Sequence, residues 1–159
     1  MKKDYLKFWR VVRYWVKAKY SIGTGELDML LFLYSESYFG KDKFDEFDEL
    51  LGWNVNRFDK LLRDDWIVVW RKRQGKQKTL YALSMKAKRM IAEIYKRLEG
   101  EEISENKQHN PLFLANVPYN HKVYRNFIKK MNQFIRQQQR HAQEWWCAPH
   151  RLSSPYDQR

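Results

Sequence analysis

The sequence predicts a mainly α fold carrying one small β-hairpin, an α+β chain, and three observations predict it. Apolar residues recur at helical spacing through most of the chain, as in Leu27, Leu30 and Leu31 or Phe127, Ile128, Met131, Phe134 and Ile135. One short stretch instead concentrates strand formers: Trp66-Ile67-Val68-Val69-Trp70 and Thr79-Leu80-Tyr81-Ala82-Leu83 flank a turn with a central Gly75. At 159 residues, with 43% hydrophobic and 16% aromatic side chains, the chain is long enough for a real core.

Residues 3–19 read as a helix with basic side chains at 3, 7, 10, 13 and 17. Its apolar residues (Tyr5, Leu6, Phe8, Trp9, Val11, Val12, Tyr14, Trp15, Val16) are too many for one core-facing stripe. The surplus either lies between the domain and a C-terminal helix or contacts a second subunit, a membrane or a partner. Thr24 suits the N-cap of a helix showing Leu27, Leu30, Leu31, Tyr34 and Tyr38, which Phe39-Gly40 ends. In the next helix, Phe44 to Leu51, the spacing turns Phe44, Phe47, Leu50 and Leu51 inward and Asp45, Glu46, Asp48 and Glu49 to solvent. Gly52 suits the left-handed position that closes a helix, with Trp53 folding back over it. Asn54 caps a further helix, Val55 to Asp64, in which Phe58, Leu61 and Leu62 are buried. Asn56, Arg57, Lys60 and Arg63 are left toward solvent.

The hairpin follows, and Arg71, Lys72, Arg73, Lys76 and Lys78 crowd its tip with no acidic residue among them. Ser84 caps a helix carrying Ala87, Ile91, Ile94 and Leu98, with Lys86, Lys88 and Arg89 in its first turns. Cations at a helix N-terminus oppose the macrodipole, so a nearby anion explains them better than helix stability does. Gly100 ends this element. The expected organisation is a domain over 1–99, a linker over 100–119, an amphipathic helix over 120–140 and a tail over 141–159. Within the linker, Leu112-Phe113-Leu114 packs back onto the domain. The last helix puts Tyr124, Phe127, Ile128, Met131, Phe134 and Ile135 on one face, with Arg125, Lys129, Lys130, Arg136 and Arg140 around it. The tail lacks a pattern apart from Trp145-Trp146 and is either anchored by a partner or disordered.

Helix, tight turn, helix and β-hairpin in that order make a winged helix-turn-helix, flanked here by N- and C-terminal amphipathic helices. That arrangement usually reads nucleic acid and also serves as a protein-docking module. Charge points the same two ways. The net +12 calls for a polyanionic partner or serves solubility alone. Residues 1–23 carry +6, residues 24–65 carry −6, residues 66–99 carry +8 and residues 100–159 carry +4. The wing and the helix after it are thus basic, whereas the helix-turn-helix is acidic. The DNA-binding residues expected are Asn54, Asn56, Arg57, Lys60 and Arg63 on the recognition helix, and Arg71, Lys72, Arg73, Lys76 and Lys78 on the wing. Asn and Arg read adenine and guanine edges, and wing cations enter a minor groove or grip phosphates.

Leu50-Leu51-Gly52-Trp53, Leu61-Leu62-Arg63-Asp64-Asp65-Trp66-Ile67 and Leu83-Ser84 resemble the MarR-like winged-helix family over roughly residues 1–99. They look like the end of the first motif helix, the recognition helix entering the hairpin, and the junction after the wing. The resemblance implies a dimer whose terminal helices pair, which would make residues 3–19 and 120–140 the dimerisation elements. It also implies a recognition helix in the major groove and a wing beside the minor groove. Aromatic richness and a long basic C-terminal arm are similar in style to phage-encoded winged helices.

No Walker loop, dinucleotide glycine fingerprint or His-Glu-x-x-His is present, so the chain is expected not to be an enzyme and to need no cofactor. His141, Cys147 and His150 could give three zinc ligands, one short of a structural site, so no metal is expected. Cys147 is the single cysteine, which rules out an internal disulfide and suits a reducing cytoplasm, of a cell or of a virus inside one. No apolar run approaches the roughly 18 residues needed to span a bilayer. Lys7, Arg10, Arg13 and Lys17 interrupt the N-terminal apolar residues too often for a signal peptide. Two functions remain in view. One is a DNA-binding regulator or nucleoid-like factor. The other is a structural or interaction protein, such as a virion component, docking through the acidic helix 44–51 and the tail 141–159.

Overall fold

The computed structural model describes residues 4–51 and 56–147; the side chains of Phe47, Asp48, Leu51, Asn56, Trp145, Trp146 and Cys147 also lie outside that description. The elements run α1 (Trp9–Tyr20), α2 (Thr24–Leu33), α3 (Lys41–Leu51), α4 (Asn56–Arg63), β1 (Ile67–Arg71), β2 (Leu80–Leu83), α5 (Met85–Leu98), a 3₁₀ turn (Pro111–Phe113) and α6 (Tyr119–Cys147). The fold is mainly helical with one two-stranded antiparallel sheet. Among the described residues no helix is long and apolar enough to cross a membrane.

The core forms around α2, which is apolar on nearly every side. Leu27, Met29, Leu30 and Leu33 are all fully buried, each contributing about 1.5–3 kcal/mol of hydrophobic stabilisation. The cap is Gly23 rather than Thr24, whose hydroxyl instead accepts the Lys17 ammonium at 2.6 Å. The helix also stops at Leu33, well before Phe39-Gly40. Ser35 donates its hydroxyl to the Phe32 carbonyl, and Tyr34 and Tyr38 lie exposed outside the helix. Phe39 then leaves in extended form and exchanges two backbone hydrogen bonds with Tyr81 of β2, at 3.0 and 2.8 Å.

α1 begins at Trp9, not at residue 3. Asp4 accepts the amides of Leu6 and Lys7, making a turn that precedes the helix and leaves Tyr5 and Leu6 in solvent. The inner face of α1 (Val12, Trp15, Val16) is buried, and the helix packs against both α5 and α6. Tyr14 stacks on Tyr124 at 3.6 Å, and Phe8 meets Phe134 edge-on at 5.4 Å. Much of the surplus apolar surface of the N-terminal helix is therefore covered by α6 of the same chain.

In α3, Phe44 is buried but Leu50 is exposed, so the expected four-residue inner face is not complete. Phe44 meets Phe58 of α4 edge-on at 4.9 Å, and Phe58 meets Tyr81 at the same distance. These contacts tie both helices to the sheet. After α4, Asp65 takes a left-handed φ of 56°, tolerable for Asp, and Trp66 returns its amide to Leu61. Ser84 caps α5 as expected, accepting the Ala87 amide at 3.1 Å.

Residues 101–118 are more than a connection. Ile103, Asn110 and Leu112 are buried, while Leu114 is exposed. Asn132, itself buried on α6, accepts the Ile103 amide at 3.0 Å and donates to the Ile103 carbonyl at 2.9 Å. Asn110 accepts the Leu112 amide and donates to the Ser104 carbonyl. Arg125 donates to the carbonyls of Leu112 and Leu114. Side-chain amides and one guanidinium thus serve backbone groups that no helix or strand pairs, as a buried segment requires.

α6 is longer than expected, 29 residues, or about 43 Å at 1.5 Å per residue. It continues through His141 to Cys147, so the first part of the expected tail is helical; residues 148–159 lie outside the described residues. Ile128, Met131 and Ile135 are buried, Phe127 is largely exposed, and so are residues 137–144 apart from a half-buried Gln138.

Candidate nucleic-acid interface

The hairpin pairs Ile67 with Leu83, Val68 with Ala82 and Val69 with Tyr81, but Arg71 with Leu80. Trp70 is therefore the extra residue of a bulge. Beyond the strands, Gln74 and Gln77 exchange backbone hydrogen bonds around Gly75-Lys76. Gly75 has a φ of +57°, which a glycine at the first central position of a two-residue hairpin turn supplies without strain. Arg73 curls over this turn, its Nε donating to the Gly75 carbonyl at 3.3 Å.

Lys72, Arg73, Lys76 and Lys78 are exposed on this loop, and Arg71 is half-buried at its base. None of the five has a described carboxylate within ion-pair distance. Many cations elsewhere are occupied. Lys7 lies 3.6 Å from the centroid of Phe134, Lys19 pairs with Glu93 at 2.7 Å, Arg97 with Glu101 at 2.6 Å, and Arg136 with Glu102 at 2.5 Å. Lys88, Arg89, Lys129 and Lys130 likewise have no described ion pair; what sets the hairpin apart is that five cations without a described carboxylate crowd one loop.

The expected second group, on α4, is differently placed. Arg57, Lys60 and Arg63 are exposed, but the Lys60 ammonium donates to Glu26 of α2 at 3.1 Å. Partial burial pushes the Glu26 carboxyl up. Its own backbone amide, with Lys60 and Arg57, outweighs that and holds it below the ordinary carboxylate range. Asp28, on the same helix, is pushed up by burial, with Arg13 and Lys17 acting against the shift. α2 thus carries one carboxylate paired with a cation of α4 and a second within electrostatic reach of cations of α1. Asn54 lies outside the described residues; Asn56 begins α4, with its side chain outside the description.

The three cations in the first turns of α5 are not alike. Lys86 does not await an anion: its ammonium donates to the Asp64 carbonyl at the end of α4 and sits 4.0 Å from the Trp66 ring. Lys88 and Arg89 are exposed. On α3, Asp45, Glu46 and Glu49 face solvent as the spacing predicts, with Glu46 paired to Lys43 at 3.1 Å, and the side chain of Asp48 lies outside the described residues. Sequence reasoning missed Tyr38 and Trp70, whose rings lie 3.9 Å apart beside the hairpin. The one available signal was Trp70 directly preceding Arg71-Lys72-Arg73.

Comparison with protein-family models, with curated proteins and with solved structures finds no match to this chain.

Proposed function

We propose that the protein is a DNA-binding module of winged helix-turn-helix type, MarR-like in arrangement, that grips the DNA backbone chiefly through its hairpin wing. The observation that carries this reading is the loop of five cations, Arg71, Lys72, Arg73, Lys76 and Lys78, without a described carboxylate partner. Such a group is costly to concentrate unless an anion neutralises it, and phosphate contact releases condensed counterions. The order of elements supports the architecture, including the single bridge from Phe39 to Tyr81, which sets a third chain segment beside the hairpin.

The recognition helix has the weaker role. On α4, Lys60 is held by Glu26 and Arg57 also acts on that carboxylate, while the acids of α3 limit close approach of a duplex. Binding is accordingly electrostatic first and sequence-reading second. Self-association through α1 and α6 belongs to the same reading. It has less apolar surface to use because these helices cover each other; Tyr5, Leu6, Tyr119 and Phe127 remain exposed.

The exposed carboxylates Asp45, Glu46 and Glu49 favour a second reading, docking of a basic protein partner on α3. Anisotropy titration of a labelled random-sequence duplex separates the two. Saturable binding at low salt is expected, and no binding there would overturn DNA recognition in favour of docking.

A further inference from the structure

Beside the wing lies a face of four aromatic rings that the core does not need. Tyr34, Tyr38, Trp70 and Tyr95 are each between 42% and 51% exposed. They stand as two pairs: Tyr38 on Trp70, centroids 3.9 Å apart and planes 32° apart, and Tyr34 near Tyr95 at 5.9 Å. A hollow of about 400 Å³ adjoins both pairs, lined by Tyr34, Glu36, Ser37, Tyr38, Leu83 and Lys88. Lys88 and Tyr95 are seven residues apart on α5 and so share one side of that helix.

Trp70 owes its position to the bulge. As the residue without a partner between Val69↔Tyr81 and Arg71↔Leu80, it is freed from the alternation of the strand. Bulges re-aim side chains in this way and are common beside functional sites. Here the indole is carried onto Tyr38 while the next three residues, Arg71-Lys72-Arg73, enter the cationic loop. From Trp66 to Ala92 the chain has eight Lys or Arg and no Asp or Glu. The one acid of the hollow, Glu36, lies within electrostatic reach of Lys43.

Exposed aromatic rings set in a cationic surface match the needs of one ligand class. An unpaired nucleobase has a free π-face to stack on a ring, and its backbone supplies phosphates at each step. A duplex offers base edges and phosphates but no free base face within its stack. A protein partner would use the rings without needing Lys88 and the wing cations beside them. We infer that this face binds single-stranded DNA, bases stacking on the Tyr38–Trp70 pair and in the hollow beside Tyr34, with Lys88 and the wing cations on the phosphates. The inference rests on the DNA-binding reading and deepens it: the favoured substrate is DNA with an unpaired stretch.

The test compares three labelled probes on the full chain by anisotropy: oligo(dT) of about twelve nucleotides, an abasic strand of the same length, and a random duplex. Oligo(dT) should bind roughly five- to a hundredfold more tightly than the abasic strand, because only it can stack. Trp70→Ala with Tyr38→Ala should erase that difference and leave duplex affinity unchanged, while Trp70→Phe with Tyr38→Phe should keep most of it. The comparison of probes on the unaltered protein needs no variant to fold. Equal affinity for oligo(dT) and the abasic strand, with the duplex still bound, would overturn this inference, leave the proposed function standing and assign the aromatic face to a protein partner. Failure to bind any of the three would overturn both.

Discussion

Lys60 of α4 gives its ammonium to Glu26 of α2 at 3.1 Å, so a side chain expected from the sequence to meet phosphate is held within the fold. The pair joins the helix at the centre of the core to the helix that should face DNA, and it makes the two elements respond together to pH. Glu26 is depressed in the folded state, so its contribution is present above the ordinary value of 4.5 and is lost as pH falls through the lowered folded value. Wild-type protein should therefore lose stability across that acid interval, and Glu26→Gln should lose less. At neutral pH the variant should be less stable by at most about 1 kcal/mol, because Lys60 is half exposed and screened. Thermal melts over the acid range check both; an unchanged acid limb in the variant would contradict the assignment.

The wing makes a separate prediction. Replacing Arg73, Lys76 and Lys78 together by alanine should weaken binding about equally for all duplex sequences. It should also flatten the salt dependence by about 0.9 in log–log slope for each phosphate no longer gripped. The melting temperature should move little, since exposed loop side chains away from the core contribute within about 0.5 kcal/mol. Anisotropy in a salt series, with a parallel melt, reads both quantities.

Asn132 should matter for a different reason. Its side chain serves both backbone groups of Ile103 from inside the core, and Asn132→Leu leaves an N–H and a C=O buried without partners. Urea unfolding should show a loss of about 2–4 kcal/mol, since each orphaned group costs about 1–3 kcal/mol. A loss below about 0.5 kcal/mol would mean that the 101–118 segment reorganises and takes no support from α6.

The sequence made some of this legible and hid the rest for identifiable reasons. Helical spacing found the buried Phe58 and Leu61 of α4 and Ala87, Ile91 and Ile94 of α5, with Leu62 and Leu98 half-buried, and strand formers around Gly75 found the hairpin to within a residue or so at each end. Periodicity could not find where α2 stops, because Tyr34 and Tyr38 continue its spacing while lying outside it. It also could not find the role of 101–118, where order comes from Asn110, Asn132 and Arg125 bonding to backbone, an arrangement without a repeat. At the candidate site, the wing cations were plain from composition. The ion pair of Lys60 spans 34 residues of sequence and the Tyr38–Trp70 stack depends on a bulge, so neither leaves a local signal.

Arg57 gives the test of sequence reading. It lies exposed in the first turn of α4, the end that enters a groove when such a helix reads bases. If it contacts a guanine edge, Arg57→Ala should lower the preference for a selected site over random DNA by about 1–3 kcal/mol. Selection from a random duplex library that enriches no sequence would remove base reading and leave the electrostatic grip alone.

The central claim is that DNA is held by the unpartnered cations of the wing, and the salt dependence of duplex binding tests it most directly. Random-sequence duplex titrated over a range of monovalent salt should give log affinity falling linearly with log salt. A slope of about −2.7 to −4.5 is expected, as neutralising three to five phosphates requires. A slope near zero, or no binding at the lowest salt, would contradict the account.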